Sequence, residues 1–321
     1  MPLTPRLKSN QKPRQRASYT ERQERVIMKD QSVYSIVTDR IVSLLEQGTI
    51  PWQKPWHGGD QAPQNLVSRK PYHGINVFLL NAMNYASPLW LSYLQAQQLG
   101  GNVRRGEKGC PIVFWKRLDT KNKETGEAER IPLLRYFTVF NLAQVDGVQV
   151  PTTSEPTREF SPIEKAQEIV DRMPKHPEIR HGLSQAFYQP SVDLVGMPAA
   201  EQFKTREDYY ATLFHELSHS TGHASRLNRK GVSGSEGQWS SFGSNPYAKE
   251  ELVSEISASY LCAEAHIVDR TIDNSAAYVA GWILRLKNDS KLIIEASSKA
   301  QRAADFIMGK LQTEAPAEPQ N

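Results

Sequence analysis

The sequence has few cysteines and no long apolar run. Its two cysteines, Cys110 and Cys262, lie far apart and form no Cys-x-x-Cys pair. Neither a disulfide framework nor a cysteine zinc site is indicated, and a reducing cytoplasm is the simplest location. No apolar run approaches the roughly 18 residues needed to span a bilayer, and the N-terminus lacks the apolar core of a secretory signal. We therefore expect no membrane partner.

Positive charge is concentrated near the N-terminus. The net charge of the 321 residues is only +4, but the first 25 residues hold seven lysines and arginines against two glutamates. We predict that residues 1–29 form a flexible basic arm, because such arms contact the phosphates of polyanions. A tail that serves only solubility is the alternative.

The most definite chemistry lies in residues 212–223, which read TLFHELSHSTGH. On a helix, His215 and His219 are four residues apart and project from one face, where they can bind one zinc ion. Glu216 follows the first histidine directly and can reach a metal-bound water as general base. The same motif also occurs by chance in ordinary amphipathic helices, so a zinc site requires a third protein ligand.

The third ligand is predicted on a second helical segment, residues 247–266. Glu251 and Glu255 are four residues apart on one face of this segment. That spacing suits one metal ligand and one carboxylate that orients a ligand histidine. We assign Glu251 as the third ligand and Glu255 as the orienting group, with Glu250 as the competing ligand. Zn²⁺ is the expected ion, and Mn²⁺ is another divalent candidate; the alternative is that these glutamates are solvated on an exposed face.

The first half of the chain combines tryptophans with cations. Strand patterns at 111–117 and 133–141 follow helix patterns at 32–47 and 90–99. Rings interleaved with cations suit single-stranded nucleic acid, because unpaired bases stack on rings while lysine and arginine follow the phosphates. Most tryptophans are nevertheless expected in the core, Trp115 among them. The predicted DNA-contacting residues are Trp56, Lys70, Tyr72, Arg104, Arg105, Lys108 and Lys116.

Helices and short strands are predicted in the second half. Ser161 is expected to cap a helix, with Glu164 completing a capping box. Short strands are predicted at 186–188 and 192–195, ahead of the His-Glu-x-x-His helix, and one long helix is predicted over 276–308.

Two blocks of motifs cover roughly residues 30–310. The first comprises Pro51-Trp52, Pro55-Trp56, Tyr72-x-Gly74-x-Asn76, Gly100-Gly101-x-Val103, Gly106-x-x-Gly109 and Val139-Phe140-Asn141. The second comprises Tyr209-Tyr210-x-x-x-Phe214-His215-Glu216-Leu217-x-His219, Thr221-Gly222-His223, Ser225-Arg226-Leu227 and Tyr247-Ala248-x-Glu250-Glu251-Leu252-Val253-x-Glu255. Together they resemble the ArdC/TraC-type antirestriction and conjugation proteins of plasmids, far more specifically than His-Glu-x-x-His alone.

The resemblance implies a function for each half. The first half resembles the family's single-stranded-DNA-binding domain, and the second is similar to a SprT-like zincin metallopeptidase domain. Family members protect incoming plasmid DNA from host restriction during conjugation, and some travel with the strand. We therefore expect a plasmid-encoded protein of the bacterial cytoplasm, transferred to the recipient with the plasmid strand. The family's DNA contacts are not carried over, so the residues predicted above rest on charge and aromaticity.

The expected architecture is an α+β protein of two domains. A proline- and polar-rich stretch near residue 155 marks the boundary. The predicted segments are the arm at 1–29, a single-stranded-DNA-binding domain at 30–147, a linker at 148–160, a zincin-like metallopeptidase domain at 161–311 and a disordered tail at 312–321.

Three functional hypotheses follow. In the first, Glu216 activates water for peptide hydrolysis and Tyr247 is a weaker candidate for an oxyanion donor. Proteins on the incoming strand or the restriction machinery are then the expected substrates. In the second, the protein only coats or escorts single-stranded DNA, and its metal site is structural or vestigial. A nuclease is less favoured, because many nucleases use two metals held by carboxylates.

Overall fold

The structure, a computed structural model, describes residues 19–53, 62–121, 128–149, 161–229, 232, 245–267 and 276–311. Within these ranges the side chains of residues 19–32, 116–121, 128–133, 245 and 246 are not described. The start of the predicted arm, most of the predicted linker and the predicted tail lie outside the described residues.

Helices and strands are interspersed in the first half of the described chain, and four consecutive helices, α5 to α8, end it. The helices are α1 (Tyr19–Glu46), α2 (Ile75–Asn81), α3 (Tyr93–Gln98), α4 (Pro162–Asp171), α5 (Arg206–Ser220), α6 (Asn245–Glu264), α7 (Ala276–Asn288) and α8 (Leu292–Ile307). The strands are β1 (Gln64–Asn65), β2 (Leu89–Ser92), β3 (Asn102–Val103), β4 (Cys110–Lys121), β5 (Ala128–Asn141), β6 (Val145–Asp146), β7 (Glu178–Arg180), β8 (Phe187–Gln189) and β9 (Leu194–Gly196). None of the described helices is both long and apolar enough to cross a membrane.

A four-stranded sheet of order β1-β2-β5-β4 organises the first half. Strands β4 and β5 form a long antiparallel hairpin in which Cys110 lies opposite Val139 and Lys121 opposite Ala128. Helix α2 packs against β4, and α1 packs against β5. The side chain of Asn76 bonds both backbone groups of Val113 on the edge strand, at 2.8 and 2.7 Å. Such pairing protects a sheet edge that would otherwise present free backbone groups.

The second half places helices against a three-stranded sheet of order β7-β9-β8. Strand β9 runs parallel to β7 and antiparallel to β8. Helix α5 begins after Thr205, whose hydroxyl accepts a hydrogen bond from the Asp208 backbone at 3.1 Å. Glu207 and Asp208 in its first turn suit the positive end of the helix dipole. Helix α6 packs against both α5 and α8.

One hydrophobic core joins the two halves. Its fully buried members come from both, and include Val37, Trp52, Leu79, Leu217, Ile256 and Ile293. The ring of Phe78 on α2 stacks on that of Tyr260 on α6, with centroids 5.2 Å apart. Thr38 on α1 donates a 2.6 Å hydrogen bond to the carbonyl of Ser290, between α7 and α8. The two halves therefore pack as one body.

The observed elements correct several predictions. The long helix over 276–308 is wrong, because Asp289 accepts the backbone N–H of Lys291 at 3.1 Å and the chain breaks into α7 and α8. The helix at 90–99 is wrong in its first part, where β2 lies, and α3 begins only after the capping box of Ser92. Ser161 makes no capping hydrogen bond through its side chain.

Two further boundaries differ from the sequence expectation. Helix α1 begins at Tyr19, so its first turns fall within the predicted arm. Strand β7 had no sequence signal strong enough to predict it, because it is only three residues long. Both long strands of the first half were predicted, and the hairpin extends beyond the predicted limits 111–117 and 133–141.

The shared core predicts joint unfolding. Phe78→Ala should lower the free energy of unfolding by about 3–5 kcal/mol, because it leaves a cavity beneath Tyr260. Both halves should lose structure in the same urea transition, followed by circular dichroism and by limited proteolysis. Leu94→Ala is the control, because that side chain is 61% exposed. Two separate transitions, with only the first half weakened, would contradict the shared core.

Candidate metal centre

The contact between α5 and α6 gathers three potential metal ligands. The Nε2 atoms of His215 and His219 lie 3.1 Å apart. The carboxylate of Glu251 approaches both, with Oε2 at 3.6 Å from His215 Nε2 and Oε1 at 3.4 Å from His219 Nε2. One donor atom from each side chain lies within 4.8 Å of the others. The structure thus brings together the three side chains that the sequence predicted as ligands.

The arrangement fits a small divalent ion. Zinc–nitrogen bonds of about 2.0–2.1 Å place tetrahedral donors about 3.3 Å apart, close to the separations above. Two imidazoles and one carboxylate are a ligand set that zinc accepts while keeping a position open. The side chains of His215 and Glu251 remain 25% and 23% exposed, so solvent can reach the donors. His219 is nearly fully buried.

The electrostatic field at this cluster favours a cation. Burial alone would lower the pKa of His215 and His219, but hydrogen bonds with the neighbouring carboxylates raise both values. Burial would raise the pKa of Glu251, yet hydrogen bonds with the two histidines hold it well below its usual range. The same field that attracts protons to the imidazoles attracts a metal ion, which displaces those protons when it binds.

Ser254 contacts His219, the more buried of the two histidines, on the side of the ring that faces away from the other donors. Its Oγ lies 2.9 Å from Nδ1 of His219, and Oε1 of Glu250 lies 3.7 Å from the same nitrogen. When Nε2 binds a metal ion, Nδ1 carries the proton and donates a hydrogen bond to Oγ of Ser254. Such outer contacts fix the tautomer and the ring orientation of a ligand histidine. Ser254 was missed in the sequence, although it follows Glu250 by one helical turn on α6 and so shares its face.

Glu250, the competing third ligand, is committed to an arginine. Its carboxylate accepts Arg229 Nε at 3.0 Å and makes a second, shorter contact with Nη2. Arg229 also donates to the carbonyl of Ser218 at 2.8 Å and to the hydroxyl of Thr221. Burial would raise the pKa of Glu250, but Arg229 and His219 lower it. The geometry therefore favours Glu251 over Glu250 as the ligand.

Glu255 does not contact a ligand histidine in the way that the sequence suggested. Its carboxylate accepts a short hydrogen bond from the hydroxyl of Tyr278 on α7, and that hydroxyl accepts one from the indole of Trp52 at 3.4 Å. Burial raises the pKa of Glu255 to about 7, against the lowering effect of Tyr278. Glu255 contacts these residues because α7 and the turn that contains Trp52 cover the part of α6 around Glu255. Ser254 and Glu250 instead contact His219 from behind.

Glu216 and Tyr247 complete the surroundings of the cluster. Glu216 is buried, and its charge raises the pKa of both histidines and of Tyr247. Tyr247 on α6 is hydrogen-bonded to Glu251, and burial together with that carboxylate raises its pKa. Tyr247 therefore keeps its proton and is a hydrogen-bond donor beside the cluster.

The residues predicted to contact DNA differ in how accessible they are to a ligand. Tyr72 is 7% exposed and its hydroxyl accepts from Asn65, so its ring is unavailable for stacking and that prediction is corrected. Arg104 is exposed, but it pairs with Glu107 at 2.9 Å and Asp146 at 3.2 Å, which compensates its charge. Of the other residues predicted to contact DNA, Lys70, Arg105 and Lys108 are exposed.

Two of the predicted DNA contacts cannot be located. Trp56 and the side chain of Lys116 lie outside the described residues. In contrast, the hairpin of β4 and β5 exposes four rings that the sequence did not single out as DNA contacts: Phe114, Trp115, Tyr136 and Phe137. Trp115, predicted in the core, is 48% exposed because it lies where the hairpin leaves the body. The signal that was available is the density of aromatics in both strands.

Comparisons with known proteins divide the chain into the same two parts. The N-terminal domain of anti-restriction factor ArdC matches residues 31–140, and a zincin-like metallopeptidase domain matches residues 164–299. The fold and the donor cluster thus define a protein in which an ArdC-type domain is joined to a zincin-like domain.

Full-length relatives identify the family. The chain is 36% identical over 292 residues to the uncharacterized protein y4eC of Sinorhizobium fredii, covering 86% of this chain and 91% of that one. The crystal structure of the antirestriction ArdC protein from the R388 plasmid, without metal, matches with 36% identity and a TM-score of 0.68, covering 86% of this chain and 97% of that one. The chain belongs to the ArdC family of antirestriction proteins.

Two further matches extend the comparison. The Mn(II)-bound structure of the same ArdC protein matches with 35% identity and a TM-score of 0.67, covering 88% of this chain and 99% of that one. A DNA primase TraC of Escherichia coli is 38% identical over 294 residues, which cover 85% of this chain. The present chain spans only 26% of that primase, so the match concerns one part of a longer protein.

The buried ion pair of Arg229 and Glu250 should be important for stability. Arg229→Met should lower the free energy of unfolding by about 3–5 kcal/mol, because it leaves the Glu250 carboxylate buried without its partner. Urea unfolding of the metal-free protein measures this. Arg172→Met is the control, because Arg172 pairs with Glu168 on the surface with a side chain that is 62% exposed, and it should change the stability by less than about 1 kcal/mol. Equal effects of the two substitutions would contradict the role of the buried pair.

Proposed function

We propose that this antirestriction protein binds single-stranded DNA, protects incoming DNA from host restriction during conjugation, and carries a zinc peptidase centre. The observation that carries the enzymatic part is the cluster of His215, His219 and Glu251 with Glu216 beside it. These three side chains would hold Zn²⁺. The Mn(II)-bound structure of a relative supports a divalent ion and leaves Mn²⁺ as an alternative.

The chain's own residues have defined tasks in peptide hydrolysis. When bound, a divalent ion supplies Lewis acidity toward a water molecule and a peptide carbonyl. A carboxylate oxygen of Glu216 takes the proton of the attacking water and returns it to the leaving amine. The protonated hydroxyl of Tyr247, which is hydrogen-bonded to Glu251 in this structure, would turn to donate toward the developing oxyanion. Ser254 and Glu250 hold the imidazole of His219 in one orientation throughout.

The DNA-binding part is supported by the ArdC-type domain and by exposed cations. We assign residues 30–147 to this task, with Lys70, Arg105 and Lys108 available for phosphate contacts. Proteins on the incoming strand or the restriction machinery are the proposed substrates of the centre. The bacterial cytoplasm, with transfer alongside the plasmid strand, is the proposed place of action.

Removing the general base tests whether proteolysis is required. Glu216→Ala should keep zinc and DNA binding but lower peptide hydrolysis by about 10²–10⁴-fold. Transfer of a restriction-sensitive plasmid into a restricting recipient should then lose its protection. Glu164→Ala, an exposed acidic residue on α4, is the control and should protect like the wild type. Full protection by Glu216→Ala would instead support a non-enzymatic escort of single-stranded DNA.

The contact behind His219 predicts a change in metal affinity. Ser254→Ala should weaken zinc binding about 10–100-fold, because the ligand ring loses its outer hydrogen bond. Competition with a chromogenic chelator measures the affinity. Ser257→Ala is the matched control, since Ser257 is also buried on α6 but its hydroxyl has no hydrogen-bond partner in the described part of the chain. If both variants bind zinc equally well, Ser254 does not position His219.

A further inference from the structure

An exposed aromatic pair lies on one face of the β4–β5 hairpin. Phe114 and Phe137 are 43% and 55% exposed, and their ring centroids are 5.7 Å apart in an edge-to-face arrangement. Phe114 is directly opposite Arg135, and Ile112 is directly opposite Phe137. Because side chains alternate along a strand, both rings and Arg135 project from the same face.

The opposite face of the hairpin is different. Trp115 and Tyr136 lie there, since Trp115 pairs with Leu134 and Tyr136 with Val113. The ring of Trp115 contacts that of Tyr34 on α1, at 6.4 Å between centroids. Helix α1 therefore partly covers that face at Trp115, although Trp115 and Tyr136 remain 48% and 43% exposed. Phe114 and Phe137 contact each other, and that contact leaves about half of each residue open.

The charge around the aromatic pair is positive. Arg135 is exposed, and within the described residues it has no ion-pair partner. Lys108 and Arg105 are exposed just ahead of β4. Lys108 precedes Phe114 by six positions, which span about 20 Å in an extended chain. Among the described side chains near the base of the hairpin, Glu107 and Asp146 both pair with Arg104.

We propose that Phe114 and Phe137 form a stacking platform for unpaired bases, and that Arg135 contacts the adjoining phosphate. This inference rests on the proposed binding of single-stranded DNA and names the surface that performs it. Bases in a duplex already stack on their neighbours, so exposed rings select unpaired ones. Arg135 lies within the aromatic face itself, which suits a polyanion with flat apolar bases.

The proposed stacking rings differ from the one that the sequence analysis favoured. Tyr72 lies close in the chain to Lys70, but its ring is buried. Phe114 and Phe137 supply the open rings in its place. Lys108 and Arg105, exposed just ahead of β4, add positive charge near the base of the hairpin.

Fluorescence anisotropy with the full chain and labelled oligothymidylate of about twenty nucleotides tests the platform. Each stacked base is expected to strengthen binding at least about fivefold, so Phe114→Leu/Phe137→Leu should weaken it about tenfold or more. Tyr93→Leu is the control, because Tyr93 is 51% exposed but lies on α3, and its affinity should stay within about twofold of the wild type. Arg135→Gln should reduce the slope of log affinity against log salt by about 0.7.

The outcomes separate the platform from the proposed function. If the wild type does not bind the oligonucleotide, the DNA-binding function fails and the platform fails with it. If the wild type binds and the double variant binds equally well, the platform is overturned while DNA binding stands. A double variant that changes only the oligomeric state, with unchanged affinity, would assign the face to self-association and overturn the platform.

Photocrosslinking keeps the test decisive if the double variant does not fold. An oligonucleotide carrying 5-iodouracil, bound to the wild-type chain and irradiated, should crosslink to the peptides that contain Phe114 or Phe137. Crosslinks confined to other peptides would overturn the platform.

Discussion

Burial of carboxylates against cationic partners at the contact of α5 with α6 is the constraint on which the site depends. An unpaired buried carboxylate is strongly destabilising, and this contact contains Glu250 and Glu251 side by side. Arg229 compensates Glu250, and the two histidines compensate Glu251. These pairings hold the α6 carboxylates at fixed positions beside the imidazoles. The position of the candidate ligands therefore follows from how two helices satisfy their buried charges.

The same packing ties the centre to the nucleic-acid half of the chain. Trp52 lies in the first half, donates to the hydroxyl of Tyr278 at 3.4 Å, and is fully buried. Tyr278 in turn donates to Glu255, one helical turn beyond Glu251 on α6. With the stacking of Phe78 on Tyr260, these contacts make the two halves one packed unit. The ArdC-type and zincin-like parts are thus distinct as families but share one core.

Much of the metal centre could be predicted because helical spacing is local. His215 and His219 share a face by spacing alone. The candidate carboxylates on α6 were located by the same helical spacing. The sequence favoured Glu251 but kept Glu250 as a competing ligand, because the choice depends on Arg229, which the fold brings to Glu250. The hydrogen bond of Glu255 to Tyr278 on α7 could not be predicted for the same reason, while its charge still interacts with His215. Residues distant in sequence determine which of the glutamates on α6 is free to bind a metal ion and which is held in an ion pair or a hydrogen bond.

The first half shows the complementary difficulty. Strand patterns located β4 and β5, and aromatic content indicated a stacking surface. Which rings are open depends on where α1 and α2 cover the sheet. Tyr72 is buried and Trp115 is open, against the local pattern. Alternation along a strand indicates that two faces exist but not which of them the rest of the chain covers.

The central claim is that α5 and α6 together form one divalent-metal site. X-ray diffraction at the zinc absorption edge, from crystals of the zinc-loaded protein, tests it most directly. The expected result is one anomalous peak at about 2.0–2.2 Å from Nε2 of His215, Nε2 of His219 and one Glu251 oxygen. A peak bonded to Glu250 or Glu255 instead, or no peak between the two helices, would contradict it.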